Sequence, residues 1–455
     1  MPHPKTLLLF NYDWDQEGAK RLKSRWPSVE SGFDLFTFPS NARLAWFDTE
    51  RFVAKAAMYA KLTGAKAVAS NHEQFGALCA ALLAEKMGWA GTPVNAILAC
   101  QHKLYARQIL DKVAPEANLP YSRLETAYGE AIPENISYPQ FVKPVKAAFS
   151  VLSRQVKTKQ ELHEHTRFSA WELWVIKHLV EPFERIAKKR LPQAGSAHSL
   201  ILEAPMRGKQ YNLDGYVFKG DVRKLGVVDE VMYPNTDAFM RFEYPSRLHA
   251  DIQERAHSVA TRFLTEIGFT HGLFNMEFFY DEAQDKLTVI EFNPRMASQF
   301  SDIYLRVDGI DLHEIAFALA HGIDPASLAK AQPTAQVAAS FVYRSFDQFA
   351  AVNFPGFVQR KAFWQTFPDA LLFEFPKDAK ELHRDFKWLR SYRYGIMHLG
   401  AESHRALRAR CEQASELLGW PAPYVEDPRE LAAQEPAHGV ELFAQQAVRS
   451  GNPNL

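Results

Sequence analysis

The segment running from Asn275 through Glu277 and Glu291 to Asn293-Pro294-Arg295 constrains this chain more than any other. Two runs rich in apolar residues, Met276 to Tyr280 and Leu287 to Phe292, flank a polar turn and so pair as a hairpin. With Glu277 registered opposite Glu291, Phe279 and Val289 lie beside them on one face, and Asn293 points the same way. Carboxylates facing each other at about 5 Å repel, so something cationic belongs between them. Two carboxylates and an amide are hard oxygen ligands that suit Mg²⁺ and suit zinc poorly. Magnesium is usually held by one or two carboxylates plus substrate phosphates, which points to a nucleotide. An ordinary hairpin with salt-bridged glutamates satisfies the same pattern.

Two further segments carry chemistry. Tyr138 to Pro144 reads as a strand ended by proline, and Lys143 leaves it just before small residues and Ser150. Such a lysine can put its ammonium on a phosphate while loop N–H groups cover the others; a solvated lysine at a strand end is the alternative. Leu200-Ile201-Leu202-Glu203 is a strand followed by Ala204-Pro205-Met206-Arg207-Gly208, and its edge can offer backbone donors and acceptors to a purine.

The length of 455 residues suggests about three domains. The 53 basic residues balance 53 acidic ones, which argues against a surface built for nucleic acid or an anionic membrane. Cys79, Cys100 and Cys411 show no CxxC spacing, so neither a disulfide framework nor a thiolate zinc site is expected, and a reduced, cytoplasmic setting fits. Leu7 to Phe10 is too short for a signal peptide, and no run approaches a membrane span.

Along the chain, Leu7 to Phe10 and Ala65 to Ser70 read as buried strands, and Gln74 to Met87 as a helix stopped by Gly88. This alternation predicts an α/β layer over about the first 95 residues. No GxGxxG follows the first strand, so a dinucleotide site there is weakly supported. Trp171 to Lys189 is an aromatic-rich helix interrupted near Pro182, and Trp171 and Trp174 read as core more readily than as an interface. Tyr211 to Phe218 and Val222 to Val228 form a hairpin, Asp251 to Ile267 a helix ended by Gly268, and Ser403 to Leu418 a late helix. Short strands and prolines after Pro325 suggest a separate C-terminal domain. His163 and His165 stand two apart and do not share a helix face, which disfavours zinc. Lys188-Lys189-Arg190 reads as a solvated helix end.

Taken together, Gln101-His102-Lys103 to Arg107, then Phe141-Val142-Lys143-Pro144, Leu200 to Gly208 and the hairpin ending Glu291-Phe292-Asn293-Pro294-Arg295 resemble the ATP-grasp superfamily in order and spacing. The resemblance spans roughly residues 1 to 325. Beyond it the chain more faintly resembles the C-terminal domain of the biotin-carboxylase-like and L-amino-acid-ligase branch. It implies a multidomain α+β and α/β protein: an N-terminal α/β (preATP-grasp) domain over 1–98, an ATP-grasp domain over 99–325 with a lid near 130–205, and a small C-terminal domain over 326–455. It implies an ATP-dependent carboxylate–amine ligase that joins small molecules, amino acids among them, through an acyl phosphate. A biotin-carboxylase-like enzyme or a non-catalytic ATP-binding regulator is the alternative.

Carried over by position, the resemblance assigns Lys103, Lys143 and Ser150 to ATP phosphates, and Glu203, Pro205 and Met206 to adenine and ribose. Gln210 would lie near the nucleotide or metal. Glu277, Glu291 and Asn293 would hold one or two Mg²⁺ ions, with Mn²⁺ able to substitute. Arg295 would steady the acyl phosphate or the substrate carboxylate. Glu73 matches the place where the N-terminal domain sends a glutamate toward the site, or else it is a carboxylate in a helix's first turn. Ser298 falls in the turn facing the acceptor substrate. Expected partners are a small-molecule carboxylate and an amine, with a homodimer as the family-like assembly.

Three positions depart from the family pattern. Ala147-Ala148-Phe149 replaces a glycine-rich phosphate loop, Gln210 stands where a glutamate is usual, and Met296 to Phe300 replaces a Gly-Gly turn.

Overall fold

The computed structural model describes residues 2–32, 47–124, 132–147 and 153–425. Among these, apolar runs build the first layer as read from the sequence. β1 (Lys5–Leu9) lies between β2 (Ser28–Ser31) and β3 (Ala65–Ala69), all parallel. Helices Thr49–Thr63 and Gly76–Met87 cover the sheet, each closed by a left-handed glycine, Gly64 and Gly88. β2 was not expected: it is short, and only Val29 in it is strongly apolar.

A second, antiparallel sheet carries the Lys143 strand. It consists of β4 (Tyr121–Leu124), β5 (Gln140–Pro144), β6 (Arg154–Val156) and β7 (Leu200–Glu203), in the order β4-β7-β5-β6. Between β6 and β7 runs the helix Ala170–Arg190, capped by Ser169 and Glu172 acting reciprocally. It continues through Pro182 without the expected interruption, and the Pro182 carbonyl accepts a hydrogen bond from Thr49. Trp171 is not core: it is 55% exposed and stacks on Trp174 with centroids 5.1 Å apart.

The third sheet is the largest. It is built from β8 (Lys209–Phe218), β9 (Asp221–Met232), β10 (Phe239–Tyr244), β11 (His271–Asp281), β12 (Lys286–Asn293), β13 (Val337–Ser345), β14 (Leu371–Glu374) and β15 (Tyr392–Ala401). Its order is β12-β11-β8-β9-β10-β13-β15-β14. The strands after residue 325 thus extend this sheet, because β13 pairs on β10. They nevertheless carry a core of their own, including Phe363, Tyr394, Leu407 and Trp420. On one face of the large sheet pack helices Lys103–Val113 and Ala250–Glu266, with Phe263 stacked on Phe292 at 3.8 Å. On the other face of β8, β9, β11 and β12, polar residues stand beside an apolar patch that includes Tyr216, Val228 and Leu273. Gly208, at φ +100, lets the chain enter β8 against the Tyr280 carbonyl, which a Cβ would meet at 2.1 Å.

No helix among the described residues is long and apolar enough to cross a membrane.

Candidate active site

β11 and β12 register Glu277 opposite Glu291 and Asn275 opposite Asn293. Beyond that rung the ladder slips: Phe278, not Phe279, faces Val289, and Ile290 is left as a bulge. The slip corrects the expected rung, and its cause lies outside the hairpin. The Ile290 carbonyl accepts from Arg107 Nη2 at 3.1 Å and from Lys143 Nζ at 3.5 Å. Arg107 Nη1 takes the Val289 carbonyl at 2.7 Å. Charged donors from outside the hairpin therefore hold the carbonyls on either side of the slip.

Beside this hairpin the alternation of β8 aims Gln210, Asn212 and Asp214 at one face, with Glu277 opposite Asn212 and Asn275 opposite Asp214. Glu230 of β9 stands opposite Gln210. The result is a field of four carboxylates, Asp214 and Glu230 buried and Glu277 and Glu291 half-buried, interleaved with amides. Gln210 Nε2 donates to Glu277 at 3.3 Å, Asn293 Nδ2 to Glu277 at 3.2 Å, Asn212 Nδ2 to Glu230 at 3.3 Å and Asn275 Nδ2 to Asp214 at 3.0 Å.

Cations close over this field from the other elements. Lys103 opens the helix that His102 caps, and its Nζ lies 2.5 Å from Glu291. Glu203, with no exposed surface, takes Arg107 at 2.7 Å and Lys143 at 2.8 Å, one on each oxygen. Arg295 reaches across to Glu73 of the N-terminal layer at 2.6 Å. Lys146, also buried, points at the Glu73 carbonyl from 3.4 Å.

The carboxylates respond unequally. Burial, then repulsion from Glu230 and Glu291, pushes Glu277 well above the usual carboxylate range. Burial likewise lifts Glu230 to about 8 and Asp214 to about 7. Burial works the same way on Glu291, but Lys103 and Lys143 overcome it and hold that group at about 2. Desolvation also draws Lys146 down to about 7. Adjacent groups forced apart in this way are a mark of a functional site.

Residues 136–302 match the family model described as the ATP-grasp domain. The chain carries an ATP-grasp domain. By fold, the protein is similar to L-amino acid ligase from Bacillus licheniformis, with a TM-score of 0.69 at 15% identity, covering 91% of this chain and 98% of that one. It is also similar to N5-carboxyaminoimidazole ribonucleotide synthetase from Thermus thermophilus (TM-score 0.59, 15% identity, 93% and 99% covered). A third likeness is to the biotin carboxylase domain dimer of Hydrogenobacter thermophilus 2-oxoglutarate carboxylase, solved with MgADP and bicarbonate (0.59, 16%, 91% and 90%). At such identities these likenesses establish the fold alone. A sequence search among curated proteins finds no match.

These hydrogen bonds and ion pairs bring Lys103, Lys143, Glu277, Glu291, Asn293, Arg295 and Gln210 together, and Glu73 reaches them from the N-terminal layer. Glu73 precedes the helix beginning at Gly76, so it is not a first-turn carboxylate. Glu203 is wholly buried, and its carboxylate is engaged by Arg107 and Lys143 rather than left open to a nucleotide. Pro205 and Met206 lie in the link from β7 to β8, half-buried. Ser298 is buried in the turn Ser298–Phe300, beside Asp15. Ser150 and the Ala148-Phe149 part of the phosphate loop lie outside the described residues.

The oxygen donors Glu277, Glu291 and Asn293 fit magnesium in kind. Among the described residues no three His, Cys, Asp or Glu side chains gather as a ready cage, and magnesium seldom uses one. Sequence reasoning missed Arg107, Lys146, Asn212, Asp214, Glu230 and Asn275. The alternation Gln210-x-Asn212-x-Asp214 was a usable signal, since three polar residues on one strand face need a polar neighbour.

Proposed function

We propose that this protein is an ATP-dependent carboxylate–amine ligase that forms an amide bond between small molecules, amino acids among them, and releases ADP and phosphate. The observation that carries the reading is the convergence of Lys103 on Glu291, of Lys143 on Glu203 and the Ile290 carbonyl, and of Arg295 on Glu73, beside Glu277 and Asn293. A substrate carboxylate attacking the γ-phosphorus of ATP meets repulsion between two anions. Lys103 and Lys143 would neutralise phosphate oxygens, with Lys103 exchanging its present partner Glu291 for phosphate. Glu277, Glu291 and Asn293 would hold magnesium, which when bound draws charge from the phosphate oxygens. Arg295, steadied by Glu73, would orient the carboxylate and then the acyl phosphate. ADP leaves, the amine attacks the acyl carbon, and phosphate departs. The second sheet with its long helix, as a lid, would keep water from the acyl phosphate. The same reading retains the three-part division at residues 98 and 325.

The test is incubation with ATP, Mg²⁺ and pooled amino acids, following ADP and phosphate. Release that requires both a carboxylate and an amine is expected, with an amide product by mass spectrometry. Release driven by bicarbonate without any amine would replace this reading with a carboxylase. Tight ATP binding without release under any pool would replace it with a regulator.

A further inference from the structure

Among the described residues, the buried Arg107, Arg241 and Arg306 and the half-buried Arg295 each have a carboxylate partner: Arg107 takes Glu203, Arg241 takes Glu243, Arg295 takes Glu73 and Arg306 takes Asp302. Two half-buried arginines differ from these. Arg344 of β13 and Arg393 of β15 stand directly opposite each other in the ladder. Arg344 donates only to the Phe239 carbonyl at 3.3 Å and to Ser391 Oγ at 3.0 Å. Among the described residues the only partner of the Arg393 guanidinium is a ring, the guanidinium centre lying 4.7 Å from the centroid of Phe375. Their carboxylate neighbour, Asp385, is already taken by Lys377 at 2.5 Å.

Like charges on opposed residues destabilise a sheet, and a charge drawn even partly out of water calls for a counter-charge. This is the mirror image of the Glu277–Glu291 rung, with the sign reversed. Burial and mutual repulsion lower Arg344 to about 10, and Arg393 is lowered chiefly by burial. The position is also connected to the candidate active site. Arg393 lies over Phe375, just past β14, and Trp14 packs edge-on against Phe373 of β14 at 5.8 Å. Tyr12 lies 5.9 Å from Trp14 and stacks at 5.2 Å on His72, the neighbour of Glu73, which pairs with Arg295. A chain of ring contacts through Tyr12 and Trp14 therefore leads from the Arg295–Glu73 pair toward the Arg344–Arg393 rung.

We propose that Arg344 and Arg393 form a second anion-binding subsite of this site, holding an additional carboxylate or phosphate group of one of the two substrates. Guanidinium forks match both groups with paired hydrogen bonds. Resting on the ligase reading, this narrows the substrate class to small molecules with an anionic group beyond the one activated or joined: amino dicarboxylic acids or phosphorylated compounds.

The experiment is calorimetric titration of the full chain, with ADP and Mg²⁺ present, using glutarate and inorganic phosphate as probes. Wild type is compared with Arg393→Gln and Arg393→Lys. One probe is expected to bind wild type and to weaken about 10–100-fold in Arg393→Gln, the range for a charged hydrogen-bonded pair, with Arg393→Lys in between. Loss confined to glutarate identifies a carboxylate; loss confined to phosphate identifies a phosphorylated substrate. Because the Arg393 side chain donates no hydrogen bond among the described residues, the thermal midpoint of Arg393→Gln should not fall and ADP binding should be unchanged. Equal binding of both probes to wild type and variant, or no binding to wild type, overturns the proposal. Should no amide form in any assay, the ligase reading fails while the titration still decides whether the subsite exists.

Discussion

Glu291→Gln is expected to abolish turnover and leave a folded protein. The substitution keeps the shape and removes the charge that Lys103 meets at 2.5 Å. In the proposed reaction the same carboxylate would hold magnesium against the ATP phosphates, so its loss acts on charge developing in the transition state. Removing one such group costs about 100–1,000-fold in kcat. Stability should suffer far less. Losing the attraction to Lys103 is offset by relief of the repulsion that raises Glu277. The checks are ADP release under saturating ATP and a thermal unfolding curve. A fully active variant would sink the assignment of Glu291 to the metal and phosphates.

Glu203→Ala is expected to do the reverse, striking the fold first. Its carboxylate is wholly buried and engages Arg107 on one oxygen and Lys143 on the other. Without it, two cations remain in a dry site, and breaking a buried pair in this way costs about 3–5 kcal/mol. The loss should appear as a lower denaturant midpoint at neutral pH; a change under about 1 kcal/mol would contradict the account. The pH dependence has a definite sign. Burial alone would raise the Glu203 carboxyl, but Arg107 and Lys143 more than reverse this and hold it below its ordinary 4.5. A depressed folded value means the stabilisation is fully present above about 4.5 and disappears as pH falls through the folded value. Wild type should lose that increment in acid, and Glu203→Ala should lack it throughout.

The facing of Glu277 and Glu291 could be read from residue order because strand alternation is local and the hairpin's turn is short. The bulge at Ile290 could not, since it depends on Arg107 and Lys143 arriving from distant parts of the chain. Glu203 looked like a ribose ligand for the same reason: nothing near it in sequence announces Arg107. The helix through Pro182 and the exposed Trp171 show composition misleading in the other direction, where packing against Thr49 and a stacked Trp174 override residue preference. Asn212, Asp214 and Glu230 lie in a hairpin that was recognised, yet their importance emerges only when β11 is laid beside β8.

The continuity of the large sheet sets how this protein can be taken apart. The part after residue 325 has its own core, but its first strand supplies the hydrogen bonds of β10 along Arg241 to Tyr244. Cutting there would leave a bare strand edge, a template for sticking to other chains. Any recombinant fragment or chimera built on the part before residue 325 must therefore carry β13 with it, or a strand that replaces it. The position that separates the two cores is not a position at which they can be parted.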